Sequence, residues 1–156
     1  MVLVWKLIHY YDYKTNADET LLQYDFMDKM SQEIQFPIRP YVAQGSNGLI
    51  AKIGKKMLKG ITATCSGFYA PQGRSVRLQA PNEDILPILA SYQFKDNRIT
   101  NFEMETAGIY GMARLLGHHA LSCNALIANR ALGEFSNQPQ ATVDKLIKEV
   151  LERVTE

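Results

Sequence analysis

Three short stretches of this chain hold residue types from which a binding site can be built. Phe68, Gln72 and Arg74 offer an aromatic face, an amide that both donates and accepts, and a rigid fork of donors. That set suits a planar, polar, uncharged ring. A surface loop with a buried phenylalanine is the plainer reading. Glu103 and Glu105 stand two apart around Met104. In an extended segment their carboxylates share one side, whereas in a helix they diverge. At a strand-to-helix junction, a carboxylate can accept hydrogen bonds from a vicinal diol such as a ribose. The plainer reading is a pair of solvated glutamates at a helix start, where negative charge is favoured. Arg130 follows Asn129 at the end of an apolar run. A cation there needs a partner, a ligand or solvent.

Other chemistries find little support. His9, His118 and His119 are the only histidines, and none stands at metal-ligand spacing from other ligand types. There is no nucleophile elbow, phosphate-binding P-loop or dinucleotide fingerprint. A net charge of +1, with no long basic run, argues against a nucleic-acid binder. Cys65 and Cys123 lie in apolar runs without a pairing pattern, as expected of reduced thiols in a cytosolic protein. The longest apolar stretch, 120–128, is far short of a membrane span and contains Ser122 and Asn124. The expected protein is soluble and cytoplasmic.

The elements that must position these residues follow from periodicity. Residues 1–8 read as a buried strand and 9–16 as a loop. A helix follows, capped by Asn16 or Asp18, with Leu21, Leu22, Phe26, Met27, Met30 and Ile34 on its apolar face. Pro37 and Pro40 force an extended segment. Ser46 or Asn47 caps a second helix, with Leu49, Ile50, Ile53, Met57 and Leu58 inward and Gly60 as its stop. Residues 61–65 read as a strand leading into the loop 66–74. Helices are expected over about 84–93 and 104–116, and strands over 99–102 and 120–128. Pro139 opens a last helix whose inward face is Val143, Leu146, Ile147, Val150 and Leu151. Strands alternating with helices predict one α/β domain of 156 residues. In such sheets ligands gather at the carboxyl ends of strands, where all three stretches lie.

Taken together, the three stretches resemble one family. The segment 60–74, with Gly60-Ile61-Thr62-Ala63 followed by Phe68-Tyr69, Gln72 and Arg74, is similar to the uridine phosphorylase segment G-[IV]-T-A…F-Y-x-x-Q-x-R. Asn101-Phe102-Glu103-Met104-Glu105-Thr106-Ala107 resembles its N-[YF]-E-M-E-[ST]-A segment, and Ile127 to Arg130 its V-N-R strand end. The resemblance is clear from Gly60 onward. It implies an α/β/α three-layer sandwich around a mixed sheet, and phosphorolysis of a nucleoside to free base and ribose 1-phosphate. By the same resemblance Phe68 packs on the nucleoside, while Gln72, Arg74 and Arg130 hold the uracil edge. Met104 packs on the ribose, and Glu105, with Glu103 beside it, binds the ribose hydroxyls. Glu105 and Arg130 would be the catalytic pair.

Nucleoside and phosphate are the implied partners, phosphate as co-substrate, with no metal or organic cofactor. The implied assembly is a homo-oligomer, usually a hexamer built of dimers. The family's N-terminal phosphate-binding portion has no counterpart in this sequence. The chain is therefore expected to be the C-terminal part of a phosphorylase-like domain. Alternatives are a purine phosphorylase or nucleosidase of the same superfamily, and an inactive nucleoside-binding or subunit-packing chain.

Overall fold

The computed structural model describes residues 2–4, 32, 41–80 and 83–156. The strand expected over 1–8 is seen as β1 (Val2–Val4). The loop 9–16 and, but for the helical Gln32, the helix expected after it lie outside the described residues. Directly after Pro40 the chain forms β2 (Tyr41–Ala43). Ser46 then caps α1 (Asn47–Lys52), its hydroxyl accepting from Leu49 N at 3.4 Å. Next come β3 (Ile61–Thr64), α2 (Ile85–Ser91), β4 (Gln93–Phe94) and β5 (Asn97–Glu103). The chain continues with α3 (Thr106–Leu115), the short strands β6 (Ala128–Asn129) and β7 (Glu134–Phe135), and α4 (Pro139–Thr155).

Five strands form one sheet in the order β2-β1-β3-β5-β4. β1–β3 and β3–β5 are parallel, while β1–β2 and β4–β5 are antiparallel, so the sheet is mixed. All residues of β3 are buried. Successive side chains of a strand point to opposite faces, so a strand buried throughout is covered on both. α3 packs on β1, β2 and β3, and α2 packs on β5. Val42, Ile61, Ala63, Cys65, Ile85, Leu89 and Ala107 make the core between them, each at most 1% exposed. Gly60 precedes β3 where its backbone passes close to Thr100 of β5; a Cβ there would lie 2.3 Å from Thr100 Cγ2.

Several sequence expectations change. The second helix stops at Lys52, with Ile53 as its cap, so Leu58 is 99% exposed rather than inward. Pro87 falls in the first turn of α2, where backbone N–H groups have no helical partner, so it costs the helix no hydrogen bond. The hairpin β4–β5 was not expected because no glycine marks its turn; Lys95 takes the left-handed conformation instead, with φ 54°. Residues 120–127 form no strand. The described sheet ends in the edge strands β2 and β4, and residues 120–127 pair with neither. The start of this run is fixed by Ser46 N donating to Ala120 O (2.9 Å) and Ser122 N donating to the Tyr110 hydroxyl (2.8 Å).

In α4 the apolar stripe is not buried either; Ile147 is 51% exposed. Polar contacts tie the helix end to α1. Arg153 Nη1 donates to Lys55 O (2.5 Å) and to Ile53 O, and Lys52 Nζ donates to Val154 O (3.3 Å).

Candidate functional site

The parallel strands β3 and β5 end side by side, Thr64 in register with Glu103, and Cys65 N donates to Glu103 O at 2.8 Å. The sequence leaving β3 then doubles back. A single 3-10 turn, Ala70–Gln72, begins with Pro71 near its start and ends at Gly73 with φ 69°. That left-handed residue reverses the chain, which glycine does without a Cβ clash. Arg74 N thereby returns to donate to Tyr69 O at 3.0 Å.

The reversal stacks Arg74 on Phe68, its Cζ 3.8 Å from the ring centroid. Arg74 Nη1 donates to Gln72 Oε1 (2.6 Å) and to Phe68 O (2.5 Å). Gln72 is 4% exposed, and Arg130 Nη1 donates to its backbone oxygen at 3.0 Å. Phe68 remains half exposed. Among the described residues neither Arg74 nor Arg130 forms an ion pair. Burial, and secondarily the Arg74 guanidinium, push the Arg130 guanidinium below its usual pKa. Two arginines thus converge on one amide residue with no carboxylate between them.

The two glutamates differ sharply. Glu103 Oε2 accepts from Glu105 N (2.8 Å), Thr106 N (2.5 Å) and Thr106 Oγ1 (2.6 Å). Its Oε1 accepts from Thr64 Oγ1. Glu105 is exposed, and among the described residues its Oε2 accepts only a long bond from Met104 N at 3.3 Å. Met104, between them, is 43% exposed. Reasoning from sequence missed Thr64, a buried hydroxyl at the end of β3 that also accepts from Ala107 N at 3.1 Å. Its polar type in that place was the available signal.

Cys65 lies within electrostatic reach of both groups. Burial first, and the Glu103 charge second, push its thiol up to about 12, against smaller opposite effects of Arg130 and Arg74. His118 and His119 sit elsewhere, at the far end of α3. There they join Gln44, Ser46, Tyr110 and Arg114 around a cavity of about 40 Å³, with Ser46 Oγ 3.2 Å from His119 Nδ1. His9 is outside the described residues. Among the described residues no group of three or more His, Cys, Asp or Glu could hold a metal ion.

Residues 10–156 match the sequence profile of the phosphorylase superfamily. The chain belongs to that superfamily. A uridine phosphorylase of Thermococcus kodakarensis is 36% identical over 86 residues, covering 53% of this chain and 29% of the relative. A crystal structure of a Trypanosoma brucei nucleoside phosphorylase, described as showing uridine phosphorylase activity, superposes with a TM-score of 0.70 at 22% identity. That likeness covers 99% of this chain and 55% of the other. The chain thus spans about half of the solved relative and less of the curated one. The phosphorylase fold expected from sequence is the fold observed.

In this member of the superfamily the ends of β3 and β5 therefore present two chemically distinct halves. One holds an aromatic ring, a buried amide and two guanidinium groups. The other holds one exposed carboxylate on the junction into α3, beside a carboxylate saturated by protein donors. The first can recognise a polar ring and receive negative charge; the second can accept from hydroxyls. No helix among the described residues is long and apolar enough to cross a membrane.

Proposed function

We propose that this chain supplies the base and ribose sites of a pyrimidine nucleoside phosphorylase acting on uridine-like substrates. The observation that carries this reading is the convergence of Arg74 and Arg130 on Gln72, beside the half-exposed ring of Phe68. In the reaction a phosphate oxygen bonds to the sugar C1′ as the C1′–N bond breaks, and the bonding electron pair leaves with the base. Atoms and electrons balance with phosphate as the only co-substrate.

Each side chain then has a task. Positive charge builds on the sugar ring as the bond lengthens, as in glycoside hydrolysis. Glu105, accepting from the ribose hydroxyls, would hold them more strongly as that charge grows. The leaving base gains negative charge, and the Arg74–Gln72–Arg130 cluster places fixed donors at its edge. The mutual repulsion of two nearby guanidiniums falls when an anion comes between them. A guanidinium keeps its proton, so Arg130 suits a base that departs as an anion better than one that must be protonated on leaving. The relatives support the same reading, since the named activities are those of nucleoside and uridine phosphorylases.

The test is release of uracil from uridine by the folded chain with and without inorganic phosphate, with Glu105→Ala beside the wild type. Release that needs phosphate and disappears in the variant supports the proposal. Folded wild-type protein that neither binds uridine nor releases uracil at saturating phosphate overturns it for this chain.

A further inference from the structure

The two glutamates of the Glu103-Met104-Glu105 segment look equivalent in sequence, and the structure separates them. A carboxylate has about four lone-pair sites. On Glu103, Oε2 meets Glu105 N, Thr106 N and Thr106 Oγ1, and Oε1 meets Thr64 Oγ1. A carboxylate already engaged by four protein donors is a poor acceptor for a further sugar hydroxyl. Glu105 is exposed and holds only a long bond to its neighbour's backbone.

The donors that Glu103 satisfies are those a helix start leaves over. The first N–H groups of an α-helix have no partner within it and are met by side chains or water. Glu105, the residue capping α3, makes no capping bond with its own side chain. Glu103 caps from outside, taking the N–H of Glu105 and of Thr106, the first helical residue. Thr64, reaching over from β3, accepts from the N–H of Ala107 and donates its hydroxyl hydrogen to a bond with Glu103 Oε1. Thr64 is 7% exposed and Thr106 4%. One buried network therefore ties the ends of β3 and β5 to the start of α3. The backbone of Glu105 hangs from it directly.

We infer that Glu103, with Thr64, is a positioning element that holds Glu105 at the mouth of the site and does not itself bind substrate. The inference rests on the proposed function for what Glu105 binds; the anchoring itself does not.

The experiment has two readouts on the full chain. Amide hydrogen exchange is followed by NMR in wild type, Glu103→Gln, Thr64→Ser and Thr64→Val. The Glu105 and Thr106 amides should exchange at least tenfold faster in Glu103→Gln, and Ala107 likewise in Thr64→Val. Thr64→Ser, which keeps the hydroxyl, should restore wild-type exchange. Uridine affinity is then measured in a double-mutant cycle with Glu105→Gln. Glu103→Gln should weaken uridine about tenfold or more in the wild-type background and less than twofold once Glu105 is neutralised. An equal loss in both backgrounds would make Glu103 a substrate contact and overturn the inference. So would unchanged exchange of the three amides in folded variants. A wild-type chain that takes up no uridine would sink the nucleoside reading, while the exchange data would still decide the anchoring.

Discussion

Arg74 lies flat against Phe68, with its guanidinium carbon 3.8 Å from the ring centroid and a hydrogen bond back to the Phe68 carbonyl. The cation occupies the aromatic face that a nucleobase would use. A base that stacks on Phe68 must take over that contact while Arg74 turns its fork toward the base edge. Arg74→Lys keeps the charge but loses the planar fork. It should lower kcat/KM for uridine by about tenfold or more, roughly 1.4 kcal/mol of transition-state stabilisation. Steady-state kinetics at saturating phosphate would show this. Wild-type values in the variant would remove Arg74 from the base edge.

Gln72 is gripped twice, through Oε1 by Arg74 and through its backbone oxygen by Arg130. Gln72→Glu would place a carboxylate beside the two cations. The melting temperature should hold or rise, since the buried acid gains charged partners. Activity on uridine should fall by about a hundredfold, because the amide donor is lost and the new charge opposes charge arriving on the base. Calorimetry and kinetics on one preparation would check both halves. A variant that is less stable and equally active would contradict the arrangement.

Cys65 provides a pH signature. Its thiol is raised from an ordinary 9.0 to about 12, by burial first and then by the Glu103 charge. The folded protein therefore keeps a proton that the unfolded chain releases above pH 9. Stability from this group is complete below about pH 9 and falls as pH rises toward 12. The Tyr110 hydroxyl, also raised by burial, adds in the same direction. Melting temperature should decline between pH 9 and 11, less steeply in Cys65→Ala. The thiol should also resist alkylation at pH 8 until the protein unfolds. An equal slope in both proteins would refute the assignment.

Gly60 tests the approach of β3 to β5. A Cβ there would sit 2.3 Å from Thr100 Cγ2 and 3.0 Å from Thr100 Cβ, on a short side chain that cannot swing far. Gly60→Ala should cost about 1–3 kcal/mol of stability, as overpacking usually does. Thr100→Gly in the same chain should return much of it. Urea denaturation of the single and double variants gives the comparison, and a neutral Gly60→Ala would show that the strands separate easily.

Much of the architecture could be read from local pattern. The cap at Ser46, the helix start at Pro139, the buried strand Ile61–Thr64 and the helix Thr106–Leu115 follow from periodicity and end chemistry. Candidate residues at three strand ends followed from the rule that ligands meet α/β sheets there. Tertiary context was not legible. Residues 120–127 have strand composition, yet a strand exists only where a ladder partner stands beside it, and composition does not name partners. Nor could spacing tell Glu103 from Glu105. Their difference lies in which donors surround each, and Thr64, which supplies one of them, is 39 positions away in sequence.

The bond from Arg130 to Gln72 spans 58 positions, whereas that from Thr106 N to Glu103 spans 3. Local contacts close early in folding, while distant ones wait for the chain between them to be ordered. The bonds of Glu103 to Glu105 and Thr106 can therefore form as soon as one strand–helix junction does, while those of Thr64 wait for β3. The base-reading end must wait for residues beyond β5 and α3 to dock. Under the proposed function, a partly unfolded chain would present an acceptor for sugar hydroxyls before it could tell one base from another, and base discrimination would be the last property acquired and the first lost.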